Sequence, residues 1–194
     1  MNADSLKHIP NIISIMRIIL IVPIIWAVWN GEYNLAFILI LIAGVSDAVD
    51  GFLARYFSWQ SKLGALLDPL ADKILLISLF VVFSFKGFIP LWLMYIVVAR
   101  DVIIFLGAIA YQLVTRKLEI RPLFISKINT ALQIVLVLLV ALILADIQVA
   151  RGLLDVMIIL VVLSTLISGI SYIVLWTRLT ASTKRKTINK HDYQ

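Results

Sequence analysis

Asp47-Ala-Val-Asp50-Gly51-Phe-Leu-Ala54-Arg55, then eight residues, then Gly64-Ala-Leu-Leu-Asp68-Pro-Leu-Ala-Asp72-Lys73, is the stretch from which the architecture follows. Four carboxylates stand in sequence otherwise apolar enough to lie in a membrane. A charged side chain at the centre of a bilayer helix costs about 2.5–3.5 kcal/mol on insertion scales, so four acids together demand a bound cation, a proton pathway or a polar cavity. On a helix, Asp47, Asp50, Gly51, Ala54 and Arg55 fall at i, i+3, i+4, i+7 and i+8, which is one stripe. Asp68 and Asp72 are one turn apart on the next helix, and Gly64 lies one turn before them. Two carboxylate pairs can thus face each other across a helical hairpin. Gly51, Ala54 and Gly64 allow a neighbouring helix or a bulky ligand to approach the backbone on those faces.

The composition agrees. Of 194 residues, 62% are apolar and only 14% charged, and the mean hydropathy is +1.06. These values belong to integral-membrane chains rather than soluble globular ones. The net charge of +6 does not point to nucleic acid, because the basic residues lie at the ends of apolar runs or in the tail Lys184-Arg185-Lys186 to Lys190. There they meet anionic lipid headgroups. Without cysteine, neither disulfides nor thiolate metal sites nor thiol nucleophiles arise. The first apolar run is too long for a signal peptide's core, contains Arg17 and leads to no small-residue cleavage site, so it reads as a retained span.

At about 20 residues per crossing, six apolar helices are predicted near residues 12–29, 35–57, 66–85, 91–114, 124–145 and 153–176. The breaks between them hold Asn30-Gly31, Trp59 to Lys62, Lys86-Gly87 with Pro90, Arg116 to Pro122, and Asp146 to Gly152. The expected fold is all-α: six transmembrane helices in one bundle with a polar cavity facing the cytoplasm. Residues 1–10 form an interfacial segment, 11–178 the catalytic domain and 179–194 a basic, solvated tail. Alternate connections carry Lys7, Lys62 with Arg55, Arg116 with Lys117 and Arg121, and the tail, whereas the intervening ones hold only Lys86 and Arg151. Both termini and the acidic cluster are therefore expected on the cytoplasmic side. No transit-peptide composition precedes the first span, which suggests a bacterial inner membrane.

Carboxylates without His or Cys are hard oxygen donors, selecting Mg²⁺, Mn²⁺ or Ca²⁺ over zinc or copper. Four can hold two divalent ions about 3.5–4 Å apart, an arrangement that clamps a phosphate for in-line displacement. Arg55 could hold a phosphate oxygen through paired hydrogen bonds. For any single acid, a solvated helix end or a salt bridge to Arg55 or Lys73 is an equal explanation. For all four together, an ion or proton carrier is the competitor, although such carriers typically show internal repeats and broken helices, neither of which is visible here.

The whole pattern, D-x-x-D-G-x-x-A-R, eight residues, then G-x-x-x-D-x-x-x-D, resembles the signature of the CDP-alcohol phosphatidyltransferases at every fixed position. The resemblance implies a six-helix, homodimeric membrane enzyme that displaces CMP from a CDP-linked alcohol, usually CDP-diacylglycerol, with a second alcohol's hydroxyl. It also implies two divalent ions, Mg²⁺ or Mn²⁺, on Asp47, Asp50, Asp68 and Asp72. Asp72 further resembles the family's general base. Gly51, Ala54, Arg55 and Gly64 resemble its nucleotide and pyrophosphate cradle, with Asp50 also near the ribose.

The acceptor is decided elsewhere. Ile9-Pro10-Asn11-Ile12 to Arg17 resembles both the phosphatidylglycerophosphate synthases and the cardiolipin synthases within this family. Ala99-Arg100-Asp101-Val102 and Phe124-Ile-Ser126-Lys127-Ile-Asn129-Thr130-Ala-Leu-Gln133 are more similar to the second group. Asn129 stands where the glycerophosphate enzymes tend to carry a second lysine, and one cation fewer suits a phosphodiester such as phosphatidylglycerol better than glycerol 3-phosphate. Arg100, Arg121, Lys127 and Asn129 are the candidate acceptor-binding residues. Arg100 lies too deep to reach headgroup water and needs a partner, either Asp101 or a group on another helix. Asn11 could meet the nucleotide or cap the first helix. Trp26, Trp29, Trp59, Trp92 and Trp176 read as interface anchors.

Overall fold

The computed structural model describes the backbone of residues 9–56, 64–115, 123–150 and 152–191. It describes side chains over residues 15–46, 49, 70–110, 123–150 and 152–177. Six α-helices account for the described chain: α1 (Ile9–Asn30), α2 (Tyr33–Tyr56), α3 (Gly64–Phe85), α4 (Leu91–Thr115), α5 (Phe124–Leu144) and α6 (Leu153–His191). The last helix continues beyond Trp176 through most of the segment expected to be a tail.

Three of these helices stop in the same way. Gly31 takes φ 82°, and the amides of Gly31 and Glu32 turn back to the carbonyls of Val28 at 3.3 Å and Ala27 at 2.9 Å. The last turn's orphan carbonyls are thereby satisfied, and a residue without Cβ adopts the left-handed conformation without strain. The end of α3 repeats the motif, with Gly87 and Phe88 bonded to Ser84 and Phe83 at 3.0 and 2.9 Å. The Phe88 and Phe83 rings, 6.3 Å apart edge to face, supply its hydrophobic contact. At the end of α5 the left-handed position falls to Asp146, φ 59°, with Asp146 and Ile147 bonded to Ile143 and Leu142 at 3.1 Å each.

The chain divides into two compact units. The first comprises Met1–Leu91 with Ile134–Leu154, the second Trp92–Gln133 with Asp155–Gln194. In the first, α1 packs along both α2 and α3. Its buried surface includes Ala27 and Val28 of α1, Ala36, Ile40 and Ala43 of α2, and Ala71, Leu79, Phe80 and Phe83 of α3. The alanines recur at helical spacing and let backbones close up, so contact is made by packing rather than by bulk. Lys86 ties two helix ends together, its Nζ donating to the Trp29 carbonyl at 2.8 Å and lying 5.4 Å from the Trp29 ring centre.

The second unit inverts the pattern of a soluble bundle. Among the side chains removed from solvent are Arg100, Asn129, Gln133, Ser164, Thr165 and Ser168, whereas Val156, Ile159, Leu163, Leu166, Ile170 and Ile173 line the outside of α6. Apolar outside and hydrogen-bonding inside is the arrangement for a lipid solvent. By length and composition, Leu91–Ala110, Phe124–Leu144 and Leu153–Thr177 can each cross a membrane. Trp26, Trp29 and Trp92 are more than half exposed. Trp176 is instead partly buried, packed against Tyr172 with ring centres 5.5 Å apart. A Cβ built on Gly107 would collide with the Trp176 ring, so this glycine is what admits the indole.

Candidate active site

The two halves of the acidic motif fall on consecutive helices. Asp47, Asp50, Gly51, Ala54 and Arg55 all lie within α2, and Gly64, Asp68 and Asp72 within α3. The backbone is helical through both, so the stripe spacing applies to each. The side chains of Asp47, Asp50, Ala54, Arg55 and Asp68 lie outside the described residues, as does the surface around Gly51 and Gly64.

Asp72 is described, and it has a partner that the motif does not contain. The Arg17 guanidinium of α1 donates through Nη1 to Asp72 Oδ1. The arginine side chain is 1% exposed and that of the aspartate 42% exposed, so the carboxylate faces outward while the cation is sealed within the unit. α1 packs on both α2 and α3, the two helices that carry the motif. A buried guanidinium needs an anionic group beside it, and the Asp72 carboxylate supplies one. Arg17 was visible in the sequence as a charge inside an apolar run and as the end of the segment that begins at Ile9. Such a charge demands a partner without saying which.

The candidate acceptor residues separate into two kinds. Arg100 of α4 is buried and donates to Asp101 Oδ1 at 2.7 Å, to Ser126 Oγ of α5 at 2.6 Å and to Ser168 Oγ of α6, with its guanidinium carbon 6.0 Å from the Tyr172 ring centre. Both partners open to it in the sequence, the neighbouring acid and another helix, are thus used. Asn129 of α5 is fully buried, and its Oδ1 accepts from Ser164 and Thr165 of α6 at 2.8 Å each. Arg100 and Asn129 therefore belong to one polar seam along α4, α5 and α6 in the second unit. Lys127 is exposed, and Arg121 lies outside the described residues.

Sequence reasoning missed the hydroxyl side of this seam. Ser164, Thr165, Ser168 and Tyr172 fall at i, i+1, i+4 and i+8 of a helix otherwise rich in Leu, Ile and Val. One polar face on an apolar span was the available signal. Gln133, one turn beyond Asn129, is buried with them.

Comparison with known proteins bears on a chain with these features. The family model of CDP-alcohol phosphatidyltransferases matches residues 7–183, nearly the whole chain, and the protein belongs to that family. Among curated relatives, the human cardiolipin synthase (CMP-forming) is 37% identical over 146 residues, 66% of this chain and 48% of that protein. The Streptomyces coelicolor protein of the same name is 35% identical over 104 residues, 50% of this chain and 48% of its own length. A rice chloroplastic CDP-diacylglycerol--glycerol-3-phosphate 3-phosphatidyltransferase is 32% identical over 151 residues, 69% and 46% of the two chains. The chain spans about half the length of these relatives.

Proposed function

We propose that this protein is a metal-dependent phosphatidyltransferase that transfers the phosphatidyl group of CDP-diacylglycerol to phosphatidylglycerol, giving cardiolipin and CMP. The observation that carries this reading is the helical placement of every signature position on α2 and α3, with the last acid held by a buried cation. Relatives named cardiolipin synthase, and the Ser126 to Gln133 segment that resembles theirs, favour phosphatidylglycerol as acceptor. The rice relative keeps glycerol 3-phosphate as the second reading.

A donor set made only of aspartates suits hard divalent ions, and Asp72 already shows a carboxylate compensated by a cation. Asp47, Asp50, Asp68 and Asp72 would hold two Mg²⁺ or Mn²⁺ ions. When bound, these supply charge neutralisation at the pyrophosphate and at the departing CMP phosphate. Gly51, Ala54, Arg55 and Gly64, with Asp50 toward the ribose, would seat the nucleotide. Asp72, half exposed, would take the proton of the acceptor hydroxyl as its oxygen bonds to the phosphorus bearing diacylglycerol, while the bond from that phosphorus to the CMP oxygen breaks. Arg100, Arg121, Lys127 and Asn129 are assigned to the acceptor phosphate.

The chain would cross a bacterial inner membrane six times as a homodimer, with termini and a polar cavity on the cytoplasmic side and basic ends against anionic lipids. In support, α1, α2 and α3 have 22, 24 and 22 residues. At 1.5 Å per residue these are about 33–36 Å long, enough for a hydrocarbon core of about 30 Å. Purified protein is supplied with radiolabelled CDP-diacylglycerol, Mg²⁺ or Mn²⁺, and either phosphatidylglycerol or glycerol 3-phosphate, and products are resolved by thin-layer chromatography. Cardiolipin formed only with the first acceptor is the expected result. Turnover with neither acceptor, together with dissipation of an ion gradient in vesicles, would make the protein a carrier instead.

A further inference from the structure

The start of α5 is held by two other helices. Leu123 is its N-cap, the amides of Ser126 and Lys127 closing the first turn on the Leu123 carbonyl at 3.0 and 3.4 Å. A leucine brings no side-chain oxygen to a helix start. In a capping box the side chain at the position of Ser126 returns to the N-cap amide. Here Ser126 Oγ accepts from Arg100 of α4 at 2.6 Å, and the Leu123 amide donates to the Tyr172 hydroxyl of α6 at 3.2 Å. We propose that Tyr172 is a positioning residue for the acceptor lipid: its hydroxyl fixes the turn that carries Lys127, and through that lysine it sets the affinity for the acceptor's phosphate. The inference rests on the assignment of Lys127 to the acceptor phosphate and adds to it a residue that acts through the backbone.

Three observations carry it. Tyr172 is buried and Lys127 exposed, so the tyrosine acts from within while the ammonium lies where a ligand can reach it. The turn is gripped at two points, its cap amide and its Ser126 hydroxyl, and the grips are joined: Arg100 also bonds Ser168, one turn before Tyr172 on α6, and its guanidinium carbon lies 6.0 Å from the Tyr172 ring centre. Two attachments fix a turn in place and in rotation; one leaves it able to swivel. The hydroxyl is itself aimed by the Trp176 ring, whose centre is 5.5 Å from that of Tyr172. Lysine meets its partner on a flexible four-carbon stem, so the part of it that the fold can place is the backbone from which the stem starts.

Purified full-length protein in mixed micelles is assayed with CDP-diacylglycerol and phosphatidylglycerol, the mole fraction of each varied at saturation of the other. Tyr172→Phe removes one oxygen and keeps the ring against Arg100 and Trp176. It should lower kcat/KM for phosphatidylglycerol about three- to tenfold, the worth of one hydrogen bond, through KM and not kcat, with the KM for CDP-diacylglycerol unchanged. In the Lys127→Gln background the same substitution should change that kcat/KM less than about twofold, because the group it positions is gone. A merely structural tyrosine would lower kcat, move both KM values or act equally in both backgrounds, and any of these overturns the proposal. Should Tyr172→Phe not survive purification, Ser126→Ala, which loosens the other grip on the same turn, is read in the same way. If the wild type uses glycerol 3-phosphate in place of phosphatidylglycerol, the same ratios are read with that acceptor, so the choice of acceptor and the role of Tyr172 fail separately. Turnover with neither acceptor overturns both.

Discussion

Asn129 offers a quantitative test of the seam in the second unit. Its Oδ1 receives hydroxyl protons from Ser164 and Thr165 at equal distances of 2.8 Å, so distance alone predicts equal contributions. The surroundings break the tie. Ser164 Oγ also lies 3.1 Å from the Val161 carbonyl one turn back, whereas Thr165 shows no second acceptor among the described residues. Interhelical hydrogen bonds in membranes average about 0.6 kcal/mol and reach about 1.7. Thr165, buried and without a substitute, belongs near the upper half of that range, and Ser164 below the mean. In double-mutant cycles, the coupling of Asn129→Ala with Thr165→Val should be about 1 kcal/mol, and that with Ser164→Ala about 0.3 kcal/mol. Reversible unfolding by dodecyl sulfate in mixed micelles, followed by circular dichroism, gives the required free energies. A serine coupling equal to or larger than the threonine coupling would refute the idea that a local carbonyl substitutes for the amide.

Three further outcomes test other parts of the structure. Asp68→Asn should lower CMP release at least about a hundredfold while the helical circular dichroism spectrum is retained, since even groups that only support metal ligands are worth about 10–100-fold in metal affinity; near-normal turnover would remove Asp68 from the metal site. Gly107→Ala should destabilise the second unit by about 1–3 kcal/mol in the same unfolding assay, because the new methyl occupies the place of the Trp176 ring. Asp146→Gly should raise stability by about 0.5–1 kcal/mol, since it removes the cost of a side chain at φ 59°; a loss of stability would show that the Asp146 carboxylate contributes more than its backbone conformation costs.

The helices themselves were legible because apolar length and turn residues are local properties. Gly31 and Gly87 stood at predicted breaks and proved to be the left-handed stops of α1 and α3. Asp146 lay in a predicted break as well, and aspartate tolerates the left-handed region better than most residues, but far less distinctively than glycine. The acidic stripes were legible for the same reason: spacing along one helix fixes a face. What spacing cannot supply is the neighbour across the contact. Arg17 lies 55 positions before Asp72, and no local rule joins them. The hydroxyls of α6 escaped notice because serine and threonine inside a span can satisfy themselves on their own helix, as Ser171 and Thr177 do by bonding the carbonyls four residues back. Among the described serines and threonines of α6, Ser164, Thr165 and Ser168 turn inward and reach another helix.

The inward placement of alcohols, amides and a guanidinium, with Leu and Ile outside, also determines how this protein should respond to heat. When its helices part within a bilayer, the surfaces uncovered meet hydrocarbon chains instead of water. The large heat-capacity increment that accompanies hydration of apolar groups is then mostly missing. Its free energy of helix association should therefore vary almost linearly with temperature, without the pronounced maximum of a water-soluble domain and without a cold-induced transition.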